Sequence, residues 1–104
     1  MNTGNAIRNK FKLIQKDRIY SSLSDQNKRF LKSVSLKYNF SYQELRQLSV
    51  ISADFSMWKS KSVREHIVEI ESKNAVGLHK KDILKILTSR WNSLKNSKIH
   101  YESQ

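Results

Sequence analysis

Val34-Ser-Leu-Lys-Tyr-Asn-Phe-Ser-Tyr-Gln-Glu-Leu-Arg-Gln-Leu48, VSLKYNFSYQELRQL, reads as the end of one helix, a tight turn and the start of another. Each position has a physical cause. Small Ser35 lets two helices approach. Asn39 tolerates the left-handed backbone that ends a helix. Phe40 sits just before the cap, where it can staple against Leu45. Ser41 and Glu44 have the spacing of a capping box, in which each side chain satisfies the other residue's backbone N–H.

The rest of the chain punctuates itself in the same way. Pro is absent and Gly occurs only at 4 and 77, so the breakers that separate β-strands are missing. Apolar residues recur at helical rather than alternating spacing. A first helix is predicted over about 5–20, with Ile7, Phe11 and Ile14 on one face and Arg8, Lys12 and Lys16 on a neighbouring one. A second, over about 25–37, follows Ser24-Asp25 and turns Leu23, Asn27, Phe30, Leu31, Val34 and Tyr38 to one side. The third carries Leu45, Leu48, Ile51, Phe55 and Trp58 inward. A second capping box, Ser62-Val-Arg-Glu65, opens a fourth helix to about Lys73, and Asn74 to Leu78 connect it to a fifth, from about His79 to Asn96. In that fifth helix Ile83, Leu84, Leu87, Trp91 and Leu94 point inward.

The expected fold is therefore a small all-α bundle of four or five helices with a helix-turn-helix-like corner at 34–48. A basic N-terminal helix or arm (1–22), a helical core (23–97) and a flexible tail (98–104) are the expected divisions. At 104 residues the chain makes one small domain. Hydrophobic residues are 38 % of it, below the roughly 45–50 % of ordinary domains, so a thin core is expected, with large side chains carrying its burial.

Charge is the strongest global signal. Twenty Lys and Arg oppose nine Asp and Glu, a net +11. Residues 1–40 hold nine basic and two acidic side chains (+7), residues 41–73 five of each (zero), and residues 74–104 six and two (+4). Such a protein attracts polyanions by Coulomb steering and counterion release, and nucleic acid is the commonest of them. A neutral middle between basic flanks suggests a surface assembled from both ends.

Several chemistries lack their residues. Without Cys there is no disulfide and no thiolate metal site. Two Gly cannot build a phosphate loop. His66, His79 and His100 are scattered and form no HExxH, and His66, Glu65 and Glu69 are read as solvating a helix. Neither catalysis, metal nor cofactor is expected. No window has the ~20 apolar residues of a membrane span, and the polar start MNTGNAIRNKFK lacks a signal's apolar region. An intracellular location, cytoplasmic or nucleoid-associated, is the expectation.

The segment 34–48 resembles the helix-turn-helix superfamily over fifteen of 104 residues, departing at Asn39, where Gly is more usual, and at Ser35, where Ala is. That resemblance implies a recognition helix whose exposed side carries Tyr42, Gln43, Arg46 and Gln47, residue types that read guanine and adenine in the major groove. Glu44 and the neutral charge of 41–73 oppose it, and a plain helical corner stays open beside it. The phosphate contacts expected from charge are Arg8, Lys10, Lys12, Lys16, Lys28, Arg29 and Lys32, with Lys80, Lys81, Lys85 and Lys95 completing the surface. Tyr20, Tyr38, Tyr42 and Tyr101 are candidates for stacking on unpaired bases. The leading expectation is a non-enzymatic nucleic-acid-binding protein, for DNA or RNA, able to serve as a subunit of a nucleoprotein complex. The alternative is a helical adaptor for an acidic protein partner, docking through Ile7, Phe11 and Ile14. A third reading lays that basic amphipathic helix on a membrane surface.

Overall fold

The computed structural model describes the backbone over residues 3–74 and 77–102, and side chains over 8–74 and 77–97. Six helices occupy them: α1 (Thr3–Gln15), α2 (Arg18–Ser22), α3 (Asp25–Tyr38), α4 (Tyr42–Met57), α5 (Val63–Lys73) and α6 (Lys80–Glu102). The expected all-α bundle is present, and no strand occurs among the described residues.

The sixth helix comes from Asp17. Its carboxylate accepts hydrogen bonds from the backbone N–H of Ile19 and Tyr20, each at 3.0 Å, and so caps a new helix inside the span predicted as one. Asp is a strong N-cap because it satisfies donors that a helix start leaves unpaired. The chain bends here, and Tyr20 turns into the core.

The opening stretch folds as its residues dictate. Asn39 is left-handed, with φ 55° and ψ 50°, and its N–H and that of Phe40 both return to the Ser35 carbonyl. Ser41 and Glu44 form the full capping box, with Ser41 N–H donating to Glu44 Oε1 at 2.8 Å and Glu44 N–H to Ser41 Oγ at 3.2 Å. Phe40 and Leu45 are both fully buried. Only half of the second capping box forms: Ser62 Oγ accepts from Glu65 N–H, and Glu65 makes no return bond among the described residues.

Every other helix packs against α4. Leu45, Leu48, Ser49, Ile51, Ser52 and Phe55 cover its buried side. The small serines allow close approach, and Ser49 Oγ satisfies itself on the Leu45 carbonyl at 2.9 Å. Around this axis lie Phe11, Ile14, Tyr20, Leu31, Val34, Val63, Ile67, Ile70, Ile83 and Leu87. The shortest dimension is 20 Å, about two helix diameters, so the core is thin.

One expected core assignment changes. Trp58 is only half-buried, because α4 ends there: Lys59 is left-handed at φ 55° and Ser60 N–H reaches back to the Phe55 carbonyl at 2.9 Å. Asp54, on the same helix, accepts from the Trp91 indole N–H at 2.7 Å and joins α4 to α6. α6 itself runs past its predicted end near Asn96 to Glu102. The side chains of 98–104, with the expected tail and Tyr101, lie outside the described residues, as does the side chain of Ile7.

Candidate nucleic-acid interface

Seven of the twenty basic residues lie on α1 and α3. Arg8 and Lys12 are exposed along α1, and Lys16 follows its last turn. Lys28, Arg29 and Lys32 line a depression on α3, whose other walls are Gln15, Tyr20, Ser21 and Asp25. The two helices meet at Phe11, where Lys10 Nζ lies 5.3 Å and Lys32 Nζ 5.2 Å from the ring centroid. The Tyr20 hydroxyl donates to the Lys28 carbonyl at 3.2 Å, which anchors α2 beneath the start of α3.

The carboxylates sit beside other cations, although Lys59, Arg64, Lys81, Lys85 and Lys95 are likewise without an ion pair among the described residues. Six ion pairs form among the described residues, and their basic partners are Lys37, Arg46, Lys61, Lys73, Lys80 and Arg90. None of Arg8, Lys12, Lys16, Arg18, Lys28, Arg29 and Lys32 pairs with a described carboxylate. Asp25 is the acidic residue in their depression.

The helix-turn-helix-like corner is used differently. Lys10 Nζ donates to the Phe40 carbonyl at 2.7 Å. Lys80 Nζ, from the start of α6, donates to Glu44 Oε1 at 3.2 Å and the Asn39 carbonyl at 3.4 Å. Burial, and then the nearby Lys80 ammonium, push Lys10 below its ordinary pKa. Burial raises Glu44, but hydrogen bonds from the Ser41 N–H and Lys80 outweigh it and leave the carboxyl below its ordinary value. Lys10 and Lys80, expected at phosphates, thus serve as clasps that bring α1 and the start of α6 to the corner.

The base-reading strip of α4 is altered as well. Gln43 is exposed. Arg46 Nε pairs with Asp17 Oδ2 at 2.9 Å, and the Asp17 side chain is only 7 % exposed. Gln47 Nε2 donates to Thr88 Oγ1 at 2.9 Å and bridges α4 to α6. All four expected readers, Tyr42 with these three, line one depression, and two of them are occupied in holding helices together.

The remaining cations are distributed along α6. Lys81 lines a second depression with Lys37, Tyr38, Asn39, His79 and Lys80. Lys85 is exposed, and Lys95 Nζ stacks 3.8 Å from the Trp91 ring centroid. Of the tyrosines expected to stack on bases, Tyr20 is core. Tyr38 is half-buried, with its hydroxyl donating to Glu71. Lys37 bonds the same carboxylate and, with Tyr38, holds Glu71 below its ordinary pKa.

One polar cluster gave no signal in sequence. Arg90 Nη2 reaches Glu69 Oε1 at 3.1 Å, and Arg90 Nη1 lies 2.8 Å from His66 Nδ1, so Arg90 clasps α5 to α6. The hydrogen bond from Lys73, with the Arg90 charge beside it, holds Glu69 at about 2. Burial, then Arg90, lower His66. Nothing in the spacing of His66, Glu69 and Arg90 along the chain announces a pairing across two helices.

The fold is a small all-α bundle. No family model matches the chain, and neither a curated protein nor a solved structure does. Among the described residues no helix is long and apolar enough to cross a membrane, and no group of three His, Asp or Glu could hold a metal ion. The face proposed to dock on a partner or membrane is turned inward at both described positions: Phe11 is 8 % and Ile14 0 % exposed within this chain's own core.

Proposed function

We propose that this protein binds nucleic acid through its phosphates, using the α1–α3 face. The observation that carries this is the gathering of Arg8, Lys12, Lys16, Lys28, Arg29 and Lys32 on α1, the turn after it and α3, with none of them paired to a carboxylate among the described residues. Such cations repel one another on neighbouring turns unless counterions or phosphates face them. Phosphates displace the condensed counterions of both surfaces, and their release drives binding. The role is a non-enzymatic one, alone or within a nucleoprotein complex, and α4 acts as its structural axis.

The test is a salt series with two charge-matched variants. Lys28→Gln with Lys32→Gln removes two charges from the proposed face. Lys59→Gln with Arg64→Gln removes two exposed charges from the neutral middle of the chain. On duplex DNA each phosphate contact adds about 0.9 to the slope of log K against log salt, so the first pair lowers that slope by roughly 1.8. The second pair leaves it nearly unchanged. Equal losses from both pairs would show a general charge effect and sink the assignment to this face.

A further inference from the structure

We infer that the ligand of the α1–α3 face is double-stranded nucleic acid, gripped by its backbone, with no stacking on unpaired bases and no base readout. This deepens the phosphate-binding proposal above and rests on it. The observation is a property of the whole described surface: none of the nine described aromatic side chains is exposed. At the basic face the two aromatics are taken. Phe11 is 8 % exposed and lies between the ammonium groups of Lys10 and Lys32, and Tyr20 is 6 % exposed with its hydroxyl committed to the Lys28 carbonyl. Elsewhere Trp91 is covered by Lys95, and the Tyr38 hydroxyl is held by Glu71.

Proteins that hold single strands combine a basic groove with aromatic platforms, because stacking offsets the ordering of a flexible strand. Here the groove is present, while four of the nine described aromatics are buried, five are half-buried and none is fully exposed. What remains is attraction between fixed cations and phosphate, which favours the ligand of higher charge density and lower flexibility. A duplex is both, and its salt slope per phosphate, about 0.9, exceeds the roughly 0.7 of a single strand.

Base readout fails on geometry. It needs an element that can enter a groove with its donors unoccupied. α4 packs against all five other helices, and on its open side Arg46 is tied to Asp17 and Gln47 to Thr88. Of the six cations on the proposed face, four are lysines, compact charges on flexible stems that lack the fork arginine offers a guanine.

The experiment uses the full chain and fluorescence anisotropy across a salt series. Its ligands are two duplex DNAs of unrelated sequence and equal length, a duplex RNA, and an oligo(dT) of the same nucleotide count. The expected result is that a duplex binds about tenfold or more ahead of oligo(dT), an order that follows from charge density. The two DNA sequences should agree within a factor of about two, because backbone contacts carry no sequence. The DNA and RNA arms identify which duplex is the source. Oligo(dT) binding as tightly as the duplexes, with quenching of tryptophan fluorescence, overturns the inference and leaves the phosphate proposal standing. A preference above about tenfold between the two DNA sequences also overturns it, since that is the scale of direct readout. Absence of binding to all four ligands removes the phosphate proposal itself.

Discussion

The Lys10 ammonium donates to the Phe40 carbonyl across 2.7 Å, tying the first helix to the turn between α3 and α4. Thirty residues separate the two in sequence. Among the described residues the other donor at that carbonyl is Ser35 Oγ, at a long 3.5 Å. Lys10→Met keeps the aliphatic stem and removes the donor. A charged hydrogen bond of this kind contributes about 1–2 kcal/mol, so the urea midpoint should fall by that equivalent with an unchanged slope. An unchanged midpoint would show that the clasp adds nothing to stability.

The two serine caps should differ. Ser41→Ala breaks a reciprocal box and should cost about 1–2 kcal/mol. Ser62→Ala removes a one-way cap and should cost less, about 0.5–1 kcal/mol. Asn39→Gly should be close to neutral, because glycine adopts the left-handed backbone freely. Thermal unfolding of the three variants ranks them, and Ser62→Ala costing more than Ser41→Ala would contradict the capping geometry.

The Trp91–Asp54 bond can be isolated by a double-mutant cycle. Trp91→Phe keeps most of the ring's burial and leaves the half-buried Asp54 carboxylate without its indole donor. Asp54→Ala removes the acceptor. The coupling between them should be about 1 kcal/mol or more, read from chemical denaturation of the four proteins. Strict additivity would mean that the 2.7 Å contact does not hold α6 to α4 in solution.

Acid should loosen the α5–α6 contact through His66. Its folded pKa lies below the ordinary 6.5, through burial and then the Arg90 charge, while Glu69, Lys61 and Glu65 act on it more weakly. The unfolded chain therefore binds the proton more readily. Stability is full above 6.5 and is lost as pH falls from there through the folded value. Glu69, held at about 2, stays ionised across that window. Urea midpoints of the protein should fall below 6.5, and His66→Gln should flatten that part of the profile. An equal decline in the variant would assign the effect to other groups.

Local chemistry made much of this fold legible. Asn39, Phe40, Ser41 and Glu44 specify a corner through backbone conformation and capping, interactions confined to six residues, Ser35 to Phe40 being the longest reach. Asp17 was open to the same logic, since Asp followed two and three residues later by helix N–H groups is a cap; the surrounding Lys-rich periodicity masked it. Partnerships across helices were beyond reach. Arg46 with Asp17, Gln47 with Thr88 and Arg90 with His66 depend on which helices adjoin, and one sequence does not state that. Charge counting therefore found the basic segments but could not separate the lysines that clasp, Lys10 and Lys80, from those left facing solvent.

The enclosure of α4 bears on how the chain reaches this state. The bonds that fix its surroundings span long stretches: 30 residues from Lys10 to Phe40, 37 from Asp54 to Trp91 and 41 from Gln47 to Thr88. Helical proteins fold fast when their contacts are local, and these are not. On a growing chain the first three helices would emerge before their common support, and the support before α6 could cover it. The cationic face would thus be displayed on an unsettled segment, and the native bundle would close only after α6 had left the ribosome.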